Sequence, residues 1–337
     1  MAESEQPDKH PWTDDDWREE ALAWVRDELG TQGMTISGEV EQPHLQWWST
    51  ALRIPTTGGV VWFKASRQSF EAALTPLLAR VRPAQIAEVI ATDPDRAWLL
   101  TRDAGVRLRE AAPGLEQLAR WREFLPQYAQ LQIELASKTG EMLALGVTDH
   151  RLAEMPGQLR RVLEDRSALF LDNEDSLSED DYERLRAGLA EFKSLCKELA
   201  GAGIPESLQH DDLHDGNLFV RDGKAVFFDR GDACISHPFH TLVVTLRATA
   251  YKLGLEPVGP EITSMRDAYL EGWSAFGSHE ELVEIAEMAR RTGTVQRALE
   301  WYYTATQMPP SVRAENIDSV PYGLKLYLAN GPYGTWQ

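Results

Sequence analysis

The chain has 337 residues, and 53 acidic side chains against 34 lysines and arginines give a formal charge of −19. With 43% hydrophobic and 26% charged residues the composition is that of a chain with a core, and it excludes a disordered polymer. So acidic a chain lacks the dense Lys/Arg that nucleic acid or an anionic membrane demands, and it accommodates a cationic small molecule. No apolar run approaches the ~20 residues of a membrane span, and the opening MAESEQPDKHPW has no basic segment leading into an apolar one, so no secretory signal is read. Cys196 and Cys234 cannot build a disulfide framework, which points to the reducing cytoplasm. Oligomeric state is not legible.

Residues 1–10 are polar and read as disordered. A helix is expected over 13–30, with Thr13 as cap, Asp14, Asp15 and Asp16 at its positive end and Gly30 as its stop. Three strands follow, Thr35–Glu41, Ser49–Ile54 and Val60–Ala65, then a helix over Phe70–Val81 with Phe70, Leu74, Leu77, Leu78 and Val81 on one face. Ile86–Ala91 and Ala97–Thr101 read as two more strands around the turn Asp93-Pro94-Asp95-Arg96. From Glu110 on the periodicity is helical, most plainly over Ser178–Ala200, where Ser178 caps and Tyr182, Leu185, Leu189, Phe192, Leu195 and Leu199 form the stripe. A single strand signal, between Asn217 and Asp229, interrupts it. These elements predict an α+β chain: a small β-rich lobe, residues 1–103, before a large helical lobe, residues 104–337.

The densest chemistry lies in His210-Asp211-Asp212-Leu213-His214-Asp215-Gly216-Asn217 and the strands after it. Asp222-Gly223 is a two-residue hairpin turn, since both positions accept positive φ. That turn sets Arg221 against Lys224, Val220 against Ala225, Phe219 against Val226, Leu218 against Phe227 and Asn217 against Phe228. Asn217 and Asp229 therefore meet at the open end, with Asp212 in the loop that feeds it. An amide oxygen and carboxylates form a hard donor set suited to Mg²⁺.

A His, an Asp two residues on, an Asn five further, then a hairpin and another Asp resemble the catalytic segment of the aminoglycoside phosphotransferase family, relatives of the protein kinases. The resemblance implies a protein-kinase-like two-lobed fold, with an antiparallel sheet and one main helix in the N-terminal lobe. It also implies transfer of the γ-phosphoryl group of ATP, with GTP not excluded, to a hydroxyl of a small molecule. In it Asp212 is the catalytic base, and Asn217 and Asp229 hold Mg²⁺ on the phosphates. Upstream, Val60-Val61-Trp62-Phe63-Lys64 reads as a strand ending in Lys and Glu71 sits on the next helix, an arrangement that resembles the kinase Lys/Glu pair on the α- and β-phosphates. Leu99-Leu100-Thr101-Arg102-Asp103 then corresponds to the adenine-binding hinge, with Leu100 and Arg102 offering backbone. Ser49 offers a hydroxyl to a phosphate.

The chain also departs from the family pattern. Asp211 stands where the family usually has glycine, Arg230 follows the second metal-binding Asp where an apolar residue is usual, and there is no glycine-rich phosphate loop. The acidic balance leans toward an amine-bearing acceptor such as an aminoglycoside or amino sugar. Two other readings are carried forward: a nucleotide-binding pseudokinase, and a zinc hydrolase using His210 and His214 with His237 and His240. His210 reads as a neutral brace of its loop, Cys234 as a buried hydrophobe, and Trp301, Tyr302 and Tyr303 as core.

Overall fold

A computed structural model describes residues 10–169, 171, 176–315 and 319–331. The expected disorder of residues 1–10 falls, except for His10, outside the described residues; His10 stacks on Trp47 with ring centroids 4.8 Å apart. The chain forms two compact units, Met1–Ala104 with Gln307–Glu315, and Gly105–Thr306 with Asn316–Gln337.

In the first unit five antiparallel strands lie in the order β1-β2-β3-β5-β4, where β1 is Glu41–Leu45, β2 Ser49–Thr56, β3 Gly59–Ser66, β4 Val89–Asp93 and β5 Trp98–Arg102. Helix α1, Asp15–Thr31, covers one face of the sheet. Its Ala21, Val25 and Leu29 pack with Leu52, Ile54, Val61, Phe63, Trp98 and Leu100. Phe63 and Trp98 meet edge to face at 5.5 Å, the geometry their ring quadrupoles favour. Side chains alternate across a strand, so Lys64, next to Phe63, leaves the opposite face. Helix α2, Phe70–Val81, has the bounds the periodicity predicts.

β4 is Val89–Asp93 rather than Ile86–Ala91 and β5 Trp98–Arg102 rather than Ala97–Thr101, and three further boundaries differ from expectation for a local reason. Asp14 rather than Thr13 caps α1, its carboxylate accepting from the Asp16 amide at 2.9 Å. The helix runs through Gly30 and is closed by Gly33 at φ +68°, a left-handed stop that glycine adopts without strain. The first strand is Glu41–Leu45, not Thr35–Glu41, of which only Ile36 bridges to Thr56. The strand contains Pro43, which is tolerated because β1 is an edge strand and its register shifts between Glu41 and His44.

The second unit is mostly helical, with long helices at Gln117–Leu135, Thr241–Leu253, Pro260–Glu271 and His279–Thr306. The expected Ser178–Ala200 helix is two, Glu179–Ala187 and Leu189–Ala200, meeting at Gly188, the poorest helix former of the run; Ser178 caps the first, accepting from the Asp181 amide. The strand signal is not single. Strands β6 (Val106–Arg107), β9 (Leu218–Arg221) and β10 (Lys224–Phe227) form one small sheet, and β7 (Thr148–Asp149), β8 (Ser207–Gln209) and β11 (Cys234–Ser236) another. Strands of two or three residues carry no readable period. Gly105, which opens this unit at φ +104°, lies where a Cβ would strike the Val220 carbonyl. Among the described residues no helix is long and apolar enough to cross a membrane.

His237, fully buried between β11 and the helix Thr241–Leu253, is pushed down to about 3 by burial alone. The fold keeps it neutral while an unfolded chain would take up a proton below about 6.5, so its contribution to stability is whole above that pH and is lost as pH falls toward 3. Denaturant titrations of the parent and His237→Asn from pH 7 to pH 4 should show the difference moving in the variant's favour by up to about 1.4 kcal/mol per pH unit. A pH-independent difference would contradict a buried neutral imidazole.

Candidate active site

The loop from His210 to Asn217 joins β8 to β9 and is pinned from several sides. Thr245 donates to the Leu213 carbonyl at 2.8 Å, and the His210 Nε2–H donates to the Phe228 carbonyl at 2.8 Å. His210 is fully buried and held down at about 4, by burial first and the Arg230 charge second, so it braces the loop as a neutral ring. Asp215 is buried and takes Arg109 at 3.0 Å and Lys252 on the same oxygen. Gly216 leaves the room for this, because a Cβ there would run into the Arg109 guanidinium.

The hairpin has the register its turn residues predict, Lys224 to Arg221 through Phe227 to Leu218. The Phe228 amide donates to the Asn217 carbonyl at 2.9 Å, which extends the pairing by one position. Asp229 follows directly, in the left-handed region at φ +59°. Asn217 donates through Nδ2 to both the carbonyl and Oδ2 of Asp212, each at 3.0 Å. Its Oδ1 is thereby the end of the amide turned away from Asp212. The negative charge of Asp229 is felt at Asp212 and at His210. The structure thus brings Asp212, Asn217 and Asp229 together, and an amide oxygen beside carboxylates fits Mg²⁺ that takes its remaining ligands from phosphate and water.

Asp212 is the carboxylate held ionised. Burial pushes its pKa up, but the His214 hydrogen bond and the Arg297 charge outweigh this, and the net direction is down. Its neighbours go the other way. Burial lifts Asp211 to about 6 despite Arg297, and burial likewise raises Asp232.

Sequence reasoning did not connect Arg297 with this loop. From the helix His279–Thr306 it donates to Asp211 at 3.0 Å, Asp232 at 3.1 Å and Asp212 at 3.2 Å. Its sequence separation from the loop hid it; the one signal was a surplus of carboxylates around Asp212 with no local cation. Trp301, Tyr302 and Tyr303 are not core, contrary to expectation. Trp301 is half-buried beneath the Arg297 guanidinium, Tyr302 donates to Asp165 at 3.0 Å and Tyr303 is exposed. They lie near the end of the long helix. Cys234 is buried in β11 as expected, taking a Gln296 hydrogen bond, and both cysteines are free.

The zinc reading fails on geometry. His210-Asp211-Asp212-Leu213-His214 is a loop, not the helix that would set two imidazoles on one face. His210 spends Nε2 on Phe228, His240 lies between Ser236 and Thr292, and no group of three or more His, Cys, Asp or Glu among the described residues is placed to hold a metal.

In the first unit Lys64 sits mid-sheet, facing Ala51 on β2 and Leu99 on β5, and pairs with Glu71 in the first turn of α2 at 2.6 Å. Both are buried. The other three candidates there are engaged in other contacts. Leu100 is fully buried core whose backbone runs in the ladders to β3 and β4. Arg102 gives its amide to the Glu88 carbonyl at 2.9 Å and its guanidinium to the Glu88 carboxylate at 3.1 Å. Leu100 and Arg102, expected to offer hinge backbone, thus lie in β5, which pairs with β3 on one side and β4 on the other, Arg102 as its last residue. The Ser49 hydroxyl is buried and 3.1 Å from His44 Nε2. Losing one partner of a buried ion pair strands the other, whereas losing both need not. Lys64→Met should therefore cost about 3 kcal/mol in denaturant unfolding, and Lys64→Met with Glu71→Leu should regain most of it. A single variant as stable as its parent would contradict the buried pairing.

A search of curated proteins finds no match. Solved structures share the fold at low identity. A choline kinase from Cryptosporidium parvum is 11% identical with a TM-score of 0.62, covering 93% of this chain and 95% of that one. A GDP complex of an aminoglycoside 2'-phosphotransferase is 17% identical at 0.55, covering 92% and 98%. A macrolide 2'-phosphotransferase from Brachybacterium faecium is 15% identical at 0.56, covering 89% and 98%. These likenesses give the two-lobed kinase-like fold. The family model described as "Phosphotransferase enzyme family" matches residues 40–282, most of the chain and every residue discussed between Lys64 and Asp232, and the chain belongs to that family.

Proposed function

We propose that this chain transfers the γ-phosphoryl group of a nucleoside triphosphate, ATP or GTP, to a hydroxyl of a small, amine-bearing molecule. The observation that carries the reading is the Asp212–Asn217 contact at the mouth of a hairpin whose next residue is Asp229. In this reading Asp212 orients the attacking hydroxyl and accepts its proton, which suits a carboxylate kept ionised by His214 and Arg297. Asn217 Oδ1 and Asp229 hold Mg²⁺, which when bound neutralises charge on the phosphates. Lys64, aimed by Glu71, contacts the α- and β-phosphates. Little covalent work is asked of the protein beyond positioning and charge.

Two features support the acceptor class. The chain carries a charge of −19, and the carboxyl groups of Asp211, Asp212 and Asp232 meet on Arg297. Solved relatives are named for aminoglycosides and choline. Two buried free thiols suit a reducing compartment such as the cytoplasm. The retained ionised Asp212 favours an enzyme over a nucleotide-binding scaffold without turnover.

The test is a coupled assay with ATP and with GTP, with and without Mg²⁺, over a panel of hydroxylated amines, amino sugars and macrolides. Turnover by the parent should require the divalent ion, and Asp212→Ala should fold as the parent does, bind nucleotide as tightly and lose roughly 10²- to 10⁴-fold in kcat. Unchanged turnover in Asp212→Ala overturns the assignment.

A further inference from the structure

We propose that Arg297 is a positioning residue for Asp212 and that it acts as a matched pair with Asp211. The inference rests on the phosphotransferase reading and deepens it.

Asp211 is an unusual occupant of its position. Its backbone is left-handed at φ +60°, a conformation glycine adopts without strain, and its side chain is 2% exposed. Gln209 takes both ends of this residue, accepting from the Asp211 amide at 2.7 Å and donating through Nε2 to Oδ1 at 3.1 Å. The other carboxylate oxygen, Oδ2, belongs to Arg297. An aspartate buried beside the proposed base adds repulsion that the loop must answer with a cation, and Arg297 bonds both Asp211 and Asp212.

The guanidinium divides its donors. Nη1 is shared by Asp211 and Asp232, while Nη2 goes to Asp212 Oδ1 at 3.2 Å. Asp212 Oδ2 accepts from Asn217 on the other side. The carboxylate is thus gripped at both oxygens, by Arg297 on one and Asn217 on the other, and the planar fork fixes the donor on Asp212 relative to the one on Asp211 and Asp232, which a lysine cannot reproduce. The fork itself is fixed. Its helix is keyed to the loop by Gln296, which accepts from Gln209, and to the β7–β11 region by Glu300 on His150 at 3.1 Å and Thr292 on His240 at 2.8 Å. Trp301 lies under the guanidinium at 5.5 Å.

The pairing makes the effect of one substitution depend on the other. Arg297→Gln should lower kcat about 100-fold, the cost of a small displacement of the reacting group, and leave the nucleotide KM within about threefold. Arg297→Lys, which keeps the charge without the fork, should remain about tenfold below the parent. Adding Asp211→Gly to Arg297→Gln should restore kcat about tenfold, because the buried carboxylate needing the cation is gone while the left-handed backbone is kept. Thermal unfolding of each variant monitors folding. If Arg297→Gln does not fold, the cost of Arg297→Lys is compared with and without Asp211→Gly, and it should shrink in the glycine background. Equal costs in the two backgrounds, or a parent-like kcat in Arg297→Gln from a chain whose turnover depends on Asp212, overturns this inference alone. Absence of turnover by the parent with every nucleotide and acceptor overturns the phosphotransferase reading, and the positioning role with it.

Discussion

One guanidinium shared by three carboxylates is the constraint around which the second unit's centre is organised. Asp211, Asp212 and Asp232 converge on Arg297, whose charge offsets the cost of burying carboxyl groups side by side. The arrangement also separates the acids electrostatically. Asp211 and Asp232 are pushed up by burial, whereas Asp212 is carried down because His214 and Arg297 together exceed its burial cost. Carboxylates driven apart in this way can carry different tasks, and the ionised one is the one the proposed chemistry uses.

Around that centre the fold spends its buried polar contacts on fixing one loop. His210 ties it to the end of β10, Thr245 to a helix, Asp215 to Arg109 and Lys252, and Gln209 to the long helix through Gln296. The contacts come from several elements, Thr245 and Lys252 from one helix and the others from elsewhere, so no single packing interface decides the geometry. Two residues of this region, Asp211 and Asp229, hold left-handed backbone without being glycine. That strain is sustained because their surroundings over-determine them, which is usual at functional sites.

The first unit solves a smaller problem with the same economy. Strand alternation sends Phe63 into the aromatic core beneath α1 and Lys64 to the other face, where Glu71 meets it. A shift of one residue in register would exchange the two, placing a cation among tryptophans. The register is held by pairing on both sides, with β2 and with β5. The same double pairing is what withdraws the Leu100 and Arg102 backbone into the sheet.

What the sequence determined was local. The Asp222-Gly223 turn set the hairpin register and so the meeting of Asn217 with Phe228 and Asp229, and the apolar period of Phe70–Val81 set α2 to the residue. A turn type and a helical face depend on neighbours a few positions away, and those are written in order along the chain. Tertiary structure alone decided that Arg297, 85 residues beyond Asp212, closes the site, that two- and three-residue strands at β7, β8 and β11 frame it, and that Pro43 sits in an edge strand. These depend on which distant segments pack together, and neither periodicity nor propensity records that, because the energy of a contact made across the fold has no counterpart in the spacing of residues along it.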